Sequence, residues 1–161
     1  MKDFMVMESQ LSNLPPRRRK QAEKLLGLVK RVMEEDAPRY LYTPEDVYLM
    51  ASDLMELDKE HFMIIMLNSK NRMVGKELIS MGGLNQASVC AREVFKPAIS
   101  KNAAVIVCVH NHPSGDPTPS ETDISWTKRI VNAGEILGIE VVDHIVVGTE
   151  GYVSLKEQGI I

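Results

Sequence analysis

The chain has 161 residues and a net charge of −3, with hydrophobic residues at 44% and charged residues at 25%. These proportions are typical of a globular domain and argue against extensive disorder, and the acidic balance excludes nucleic-acid binding by bulk positive charge alone. The two cysteines, Cys90 and Cys108, exclude a disulfide scaffold and a four-cysteine zinc site. Because no signal peptide or membrane span is evident, the expected compartment is the cytoplasm.

The first third of the chain is predicted to be helical. Residues 1–14 show weak periodicity, and apolar residues at three- and four-residue spacings predict a helix over about 17–35. A second helix is predicted from Thr43 to about Leu57, since Thr43 is an N-cap residue and Pro44 suits the first helical position.

After residue 60 the pattern changes to alternating strands and helices. The apolar run 62–67 predicts a strand buried on both faces, and 72–80 predicts its hairpin partner. A helix is predicted over 91–100, although it contains Pro97. The apolar run 103–109 predicts a central strand. Residues 121–137 predict an amphipathic helix that ends at Gly138. Strands over 139–147 and 152–155 complete the pattern, which predicts an α/β fold with three layers, α/β/α.

A short segment between the central strand and the amphipathic helix carries the chemistry. His110 and His112 are two residues apart, so at an extended strand end both imidazoles point to the same side. Asp123 lies in the first turn of the next helix, from which its carboxylate can return to that strand end. Two histidines, one carboxylate and an open position describe a catalytic zinc site.

The same residues also have a purely structural interpretation. Ser120 and Asp123 have the spacing of a helix N-terminus, with Ser120 as the N-cap and Asp123 in the first turn. The capping and metal-binding roles are compatible, since the cap fixes the helix start and thereby positions Asp123.

The order of these residues resembles the JAMM metalloprotease motif, in which H-x-H is followed by seven residues, Ser, two residues and Asp. The string HNHPSGDPTPSETD, with REVF upstream and DHIVVG downstream, is similar to the RadC family of JAMM-type domains. The resemblance covers about residues 55–161 and implies a JAMM/MPN domain with a mixed central sheet, similar to the cytidine deaminase fold. It predicts two parts, a helical extension over 1–57 and the RadC-type domain over 58–161. The extension is too short for the helix-hairpin-helix-like region of full-length relatives, which predicts a short form of the family.

The resemblance also implies site residues and a mechanism. His110, His112 and Asp123 would bind Zn²⁺, and Glu60 would accept a proton from the attacking water, with Glu77 as the second candidate and Glu93 as the third. Ser120 would donate a hydrogen bond to the oxyanion. Two further residues are candidates for supporting the zinc-bound imidazoles, Asp116 and Asp143.

The predicted function is zinc-dependent hydrolysis of a peptide or isopeptide bond in a peptide or protein substrate. The alternative is a DNA-associated or mobile-element protein that binds rather than cleaves, for which Arg17–Lys20 is the only basic patch. An inactive metal-binding adaptor and a homodimer are left open. A zinc deaminase is set aside, because the chain lacks the H-x-E and P-C-x-x-C motifs of that class.

Overall fold

A computed structural model describes residues 40–161 apart from Tyr42 and 82–88, together with Pro15, Arg18, Arg19 and Ala22. The chain divides into two compact units, Met1–Pro38 and Arg39–Ile161. In the first unit, the Arg19 amide donates to the Pro15 carbonyl at 2.9 Å. The predicted helix over 17–35 otherwise lies outside the described residues.

The second unit contains three α-helices, one 3₁₀-helix and five strands among the residues described. The elements in chain order are α1 (Pro44–Met50), a 3₁₀-helix (Ser52–Glu56), β1 (His61–Leu67), β2 (Met73–Met81), α2 (Ala91–Ser100), β3 (Val105–Asn111), α3 (Glu121–Leu137), β4 (Glu140–Gly148) and β5 (Gly151–Ser154). Within the described part of the chain, no helix has the length and apolar character needed to cross a membrane.

The strands form one mixed sheet in the order β2-β1-β3-β4-β5. β1 pairs antiparallel with both β2 and β3, and Phe62 faces His110 across the β1–β3 ladder. β3 and β4 are parallel, with α3 as their crossover, and this register sets Cys108 opposite His144. β3 is therefore the central strand, as its apolar sequence predicts.

Each face of the sheet is covered by helices. On one face, α2 and α3 pack through Phe95 and Trp126 against alternate residues of β1 and β3, among them Phe62 and Cys108. On the other face, α1 and the 3₁₀-helix bury Val47 and Leu54 against the intervening strand residues. Since β1 is buried along its whole length and helices lie on both faces, the predicted three-layer α/β fold is confirmed.

The helix boundaries follow the sequence signals. Thr43 and Ser120 each form a capping box, at the N-termini of α1 and α3, and Gly138 ends α3 in the left-handed conformation with φ 69°. The predicted second helix stops earlier than Leu57, since α1 ends at Met50 and a 3₁₀-helix continues the chain. Helix α2 runs without interruption through Pro97.

Candidate metal centre

Three side chains converge where β3 ends and α3 begins. The Nε2 atoms of His110 and His112 lie 3.0 Å apart, and each lies 3.6 Å from an Asp123 carboxylate oxygen. One ligand atom from each residue falls within 4.8 Å of the others, so the group could bind a metal ion. Imidazole nitrogen and carboxylate oxygen are ligands that Zn²⁺ accepts, and three protein ligands leave a position open for water.

A backbone hydrogen bond sets the orientation of His112. Its Nδ1 lies 2.9 Å from the Asp116 carbonyl oxygen, which can only accept, so Nδ1 carries a hydrogen and donates. In the neutral ring, Nε2 is then left with its lone pair facing the centre. The Asp123 carboxylate, as an acceptor for the protonated ring, raises the pKa of His112, and the Asp116 carbonyl and the charges of Asp123 and Glu60 act in the same direction, against partial burial.

Asp123 is held as a carboxylate by its neighbours. Its Oδ2 accepts hydrogen bonds from the Ser120 amide at 2.7 Å and from the Ser120 hydroxyl at 2.6 Å. Burial opposes ionisation, but the neighbouring imidazoles of His110 and His112 and the Ser120 hydrogen bond outweigh it and lower the pKa of Asp123 well below its usual range. The Ser120 hydroxyl also accepts from the Asp123 amide at 3.2 Å, so capping and support of the carboxylate are combined in one hydroxyl.

The loop between β3 and α3 is fixed against the end of β4. The His112 amide donates to the Val147 carbonyl at 2.9 Å, and the Glu150 amide donates to the Gly115 carbonyl at 3.2 Å. A Cβ at Gly148 would lie 2.1 Å from the Gly115 carbonyl oxygen. Only glycine therefore allows the approach that places His112 at the centre.

Glu60 lies directly before β1 and is half-buried, and its charge acts on His112. Asn111 binds the backbone on both sides of this residue: its Oδ1 accepts from the His61 amide at 2.7 Å, and its Nδ2 donates to the Lys59 carbonyl at 3.0 Å. The other two candidates for the base, Glu77 and Glu93, line a surface groove with Lys96 and Lys101.

Behind His110 lies His144, which the sequence pattern alone does not single out as part of the site. His110 Nδ1 lies 2.8 Å from His144 Nε2, and His144 Nδ1 lies 2.5 Å from the Thr127 hydroxyl. His144 is fully buried, and burial lowers its pKa well below the ordinary value, with the charge of His110 acting in the same direction. Thr127 and Asn111 were also missed. Two signals were available: Thr127 is one helical turn after Asp123, and His144 interrupts an apolar strand.

The two predicted supporting carboxylates have other partners. Asp116 contacts His112 through its backbone carbonyl, while its carboxylate accepts from the Thr118 amide. The Asp143 carboxylate accepts from the Ser154 hydroxyl and from the amides of His144 and Lys156.

Comparison with known proteins identifies the family of the chain. A family model described as the RadC-like JAB domain matches residues 41–160. The chain belongs to the RadC family. Its mixed five-strand sheet with flanking helices is consistent with the JAB/MPN fold of that family.

The similar curated proteins carry the name UPF0758 protein. The one from Desulforamulus reducens is 46% identical over 156 residues, covering 95% of this chain and 69% of that protein. The one from Geobacillus kaustophilus is 43% identical over 166 residues, covering all of this chain and 73% of that protein. The one from Caldanaerobacter subterraneus is 53% identical over 118 residues, and that match spans about half of the relative, 51%.

Several predictions are not tested by these findings, among them the roles of the site residues, the partners and the compartment. The domain division at residue 57/58 stays a prediction. The DNA-associated alternative also stays a prediction, because the described residues include only Arg18 and Arg19 of its basic run.

Proposed function

We propose that this chain is a zinc-dependent hydrolase that cleaves a peptide or isopeptide bond in a protein substrate. The observation that carries the proposal is the convergence of two imidazole Nε2 atoms and a carboxylate within 4.8 Å. His110, His112 and Asp123 would hold the metal, which when bound acts as a Lewis acid and lowers the pKa of a coordinated water.

The remaining chemistry belongs to residues at the rim of this centre. Glu60 is held at the start of β1 by the two hydrogen bonds of the Asn111 side chain, and it is close enough to His112 for its charge to act on that ring. Glu60 would accept a proton from the attacking water and return it to the leaving amine. Ser120 is the candidate donor to the oxyanion. To donate there, its hydroxyl must rotate so that it no longer donates to Asp123 Oδ2.

Metal content tests the centre itself. The purified chain is expected to hold one zinc per chain, while His110→Ala and Asp123→Ala are expected to lose it. His61→Gln is the matched histidine control, since His61 bonds to the Lys59 carbonyl rather than to the centre, and it should retain zinc. Mass spectrometry of the metal content gives the readout, and full zinc occupancy in both alanine variants would refute the proposal.

Hydrolysis tests the assignment of the base. We expect Glu60→Gln to keep zinc but to lose about 10²- to 10⁴-fold in the rate of peptide-bond cleavage, the usual contribution of a general base. Glu77→Gln is the matched control and should cleave at the wild-type rate. The assay follows new amino groups released from a mixture of unfolded protein substrates, and the reverse result for the two variants would move the role to Glu77.

A further inference from the structure

A buried chain of hydrogen bonds connects His110 to the body of helix α3. It runs from His110 Nδ1 to His144 Nε2 at 2.8 Å, from His144 Nδ1 to the Thr127 hydroxyl, and from that hydroxyl to the Asp123 carbonyl at 2.6 Å. His110, His144 and Thr127 have no exposed surface. This series of hydrogen bonds therefore begins at the His110 side chain and ends at the Asp123 backbone carbonyl, and both residues are candidate metal ligands.

The donor and the acceptor of each hydrogen bond in this buried series are fixed by chemistry. Two oxygens 2.6 Å apart need a hydrogen between them, and a carbonyl has none to give, so the Thr127 hydroxyl donates to the Asp123 carbonyl. Since a hydroxyl has a single hydrogen, its oxygen must accept from His144 Nδ1. In neutral His144 this leaves Nε2 as an acceptor, and His110 Nδ1 must supply the hydrogen.

The consequence falls on the other nitrogen of His110. With the hydrogen on Nδ1, the neutral ring presents an unprotonated Nε2 toward His112 and Asp123. We infer that His144 and Thr127 are positioning residues, which fix the tautomer and the ring orientation of His110 so that Nε2 is its metal-binding atom. This inference rests on the proposed metal centre.

The surroundings of His144 hold the ring in place. Trp126 and Phe62 meet it at centroid distances of 5.8 and 5.9 Å, both edge-on or nearly so, and its own amide is fixed by the Asp143 carboxylate at 2.7 Å. Zinc-bound imidazoles commonly donate to a carboxylate or a carbonyl. Here the acceptor is the neutral imidazole of His144, which, unlike a carboxylate, adds no negative charge next to the centre.

The two histidine ligands are consequently held in different ways. His112 is oriented by a backbone carbonyl, which no substitution of a side chain removes. His110 is oriented by side chains, whose hydrogen-bond direction depends on one hydroxyl group, that of Thr127. Replacing that hydroxyl is therefore the sharpest test.

The test compares Thr127→Val, which keeps the shape but lacks the hydroxyl, with Thr127→Ser, which keeps the hydroxyl. Long-range ¹H–¹⁵N spectra of the chain labelled at histidine nitrogens, recorded without metal at pH 8, should show hydrogens on Nδ1 of both His110 and His144 in wild type and in Thr127→Ser. Zinc affinity, measured by competition with a chromophoric chelator, should fall about 10- to 100-fold in Thr127→Val, the usual effect of losing an outer partner of a ligand. Thr127→Ser should bind zinc as wild type does.

A second pair probes His144 itself. His144→Gln offers an acceptor to His110 Nδ1, whereas His144→Leu offers none, so zinc affinity should be higher in the glutamine variant. Thermal melts of all variants separate loss of fold from loss of metal.

The outcomes distinguish the two proposals. A hydrogen on Nε2 of His110 in the wild-type spectrum, or equal zinc affinity in Thr127→Val and Thr127→Ser, overturns the positioning role while the metal centre stands. If wild type binds no zinc but shows the Nδ1 hydrogens, the proposed function fails and the hydrogen-bond direction stands.

Discussion

Asn111 shows how much a single residue between two metal-binding candidates can do. Within the sequence HNH it reads as a spacer, yet it is buried, and its amide bonds to backbone groups on both sides of Glu60. The two contacts join residues 50 and 52 positions apart, so β3, which presents His110, also fixes the backbone on either side of Glu60.

Replacing Asn111 by Leu, which has a similar shape but no polar atoms, leaves the His61 amide and the Lys59 carbonyl without this partner. We expect the free energy of unfolding to fall by about 1–3 kcal/mol, the usual cost of an unsatisfied buried group. Asn111→Asp keeps the acceptor for the His61 amide but sets a second acceptor against the Lys59 carbonyl, so it should also be less stable than wild type. Urea denaturation measures the stability of both variants. A leucine variant as stable as wild type would show that the two Asn111 hydrogen bonds do not stabilise the fold.

Cys108 gives the stability of the fold a dependence on alkaline pH. Burial raises the pKa of its thiol well above the ordinary value of about 9, and the charge of Asp143 acts in the same direction. The folded state thus keeps a proton that the unfolded state releases, and its stabilising effect is full below pH 9 and lost as the pH rises above it.

Above about pH 9, the free energy of unfolding should fall by up to about 1.4 kcal/mol per pH unit from this one group. Cys108→Ala is less stable at neutral pH, but it should lack this component. Denaturation curves from pH 7 to 10.5 give the difference between the two proteins. Parallel pH profiles would show that the thiol does not titrate differently on unfolding.

At the scale of elements, α1 and α3 begin with the same device. Thr43 with Asp46 and Ser120 with Asp123 both form capping boxes, but only the second lies at the candidate metal centre. Removing each cap hydroxyl in turn therefore distinguishes an effect on helix stability from an effect on hydrolysis.

We expect Thr43→Ala and Ser120→Ala each to cost about 0.5–2 kcal/mol of stability, as loss of an N-cap hydroxyl does. Only Ser120→Ala should also lower the rate of hydrolysis, by about 10²-fold if its hydroxyl supports the oxyanion. Thermal melts and cleavage rates are compared in the two variants. Equal cleavage rates would leave Ser120 with the capping role alone.

The sequence predicted the local part of the site and missed the part that depends on strand register. His110, His112 and Asp123 lie within one strand–loop–helix segment, so alternation along β3 and the cap of α3 suffice to bring them together. His144 reaches His110 only through the parallel β3–β4 pairing, with Cys108 opposite His144, and no spacing along the chain encodes that pairing.

The same distinction applies to the elements. The strands after residue 60 and helix α3 were predicted closely, because their periodicity and end signals are local. The strand order was not predicted, since it depends on which apolar faces pack together. The sequence predicts that the α-helix continues past Met50, where the chain forms a 3₁₀-helix. Apolar spacing does not distinguish an α-helix from a 3₁₀-helix over five residues.

At the scale of the whole molecule, the compact unit Arg39–Ile161 and the family match 41–160 both begin well before the predicted boundary at residue 58. Leu41, Val47, Ala51 and Leu54 cover the sheet face formed by β1, β3 and β4. Burial of each of the larger side chains among them is worth about 1.5–3 kcal/mol.

A fragment over 39–161 is expected to unfold cooperatively, whereas a fragment over 58–161 should lose most of its stability because that sheet face is exposed. Circular dichroism during thermal unfolding compares the two fragments with the intact chain. A cooperative transition in the shorter fragment, at the same temperature as in the longer one, would favour the boundary at 57/58.

The bond between the His61 amide and Asn111 bears on when the proposed centre would acquire its metal during folding. All three candidate ligands lie in a segment of fourteen residues, which a nascent or partly unfolded chain already contains. What that segment lacks is the orientation imposed from outside it, by Thr127, by His144 at 34 positions from His110, and by His61 at 50 positions from Asn111. Long-range pairing is the slow part of assembling such a sheet. Tight capture of zinc by the proposed centre would therefore be a late event, and metal affinity would report that β1, β3 and β4 have paired.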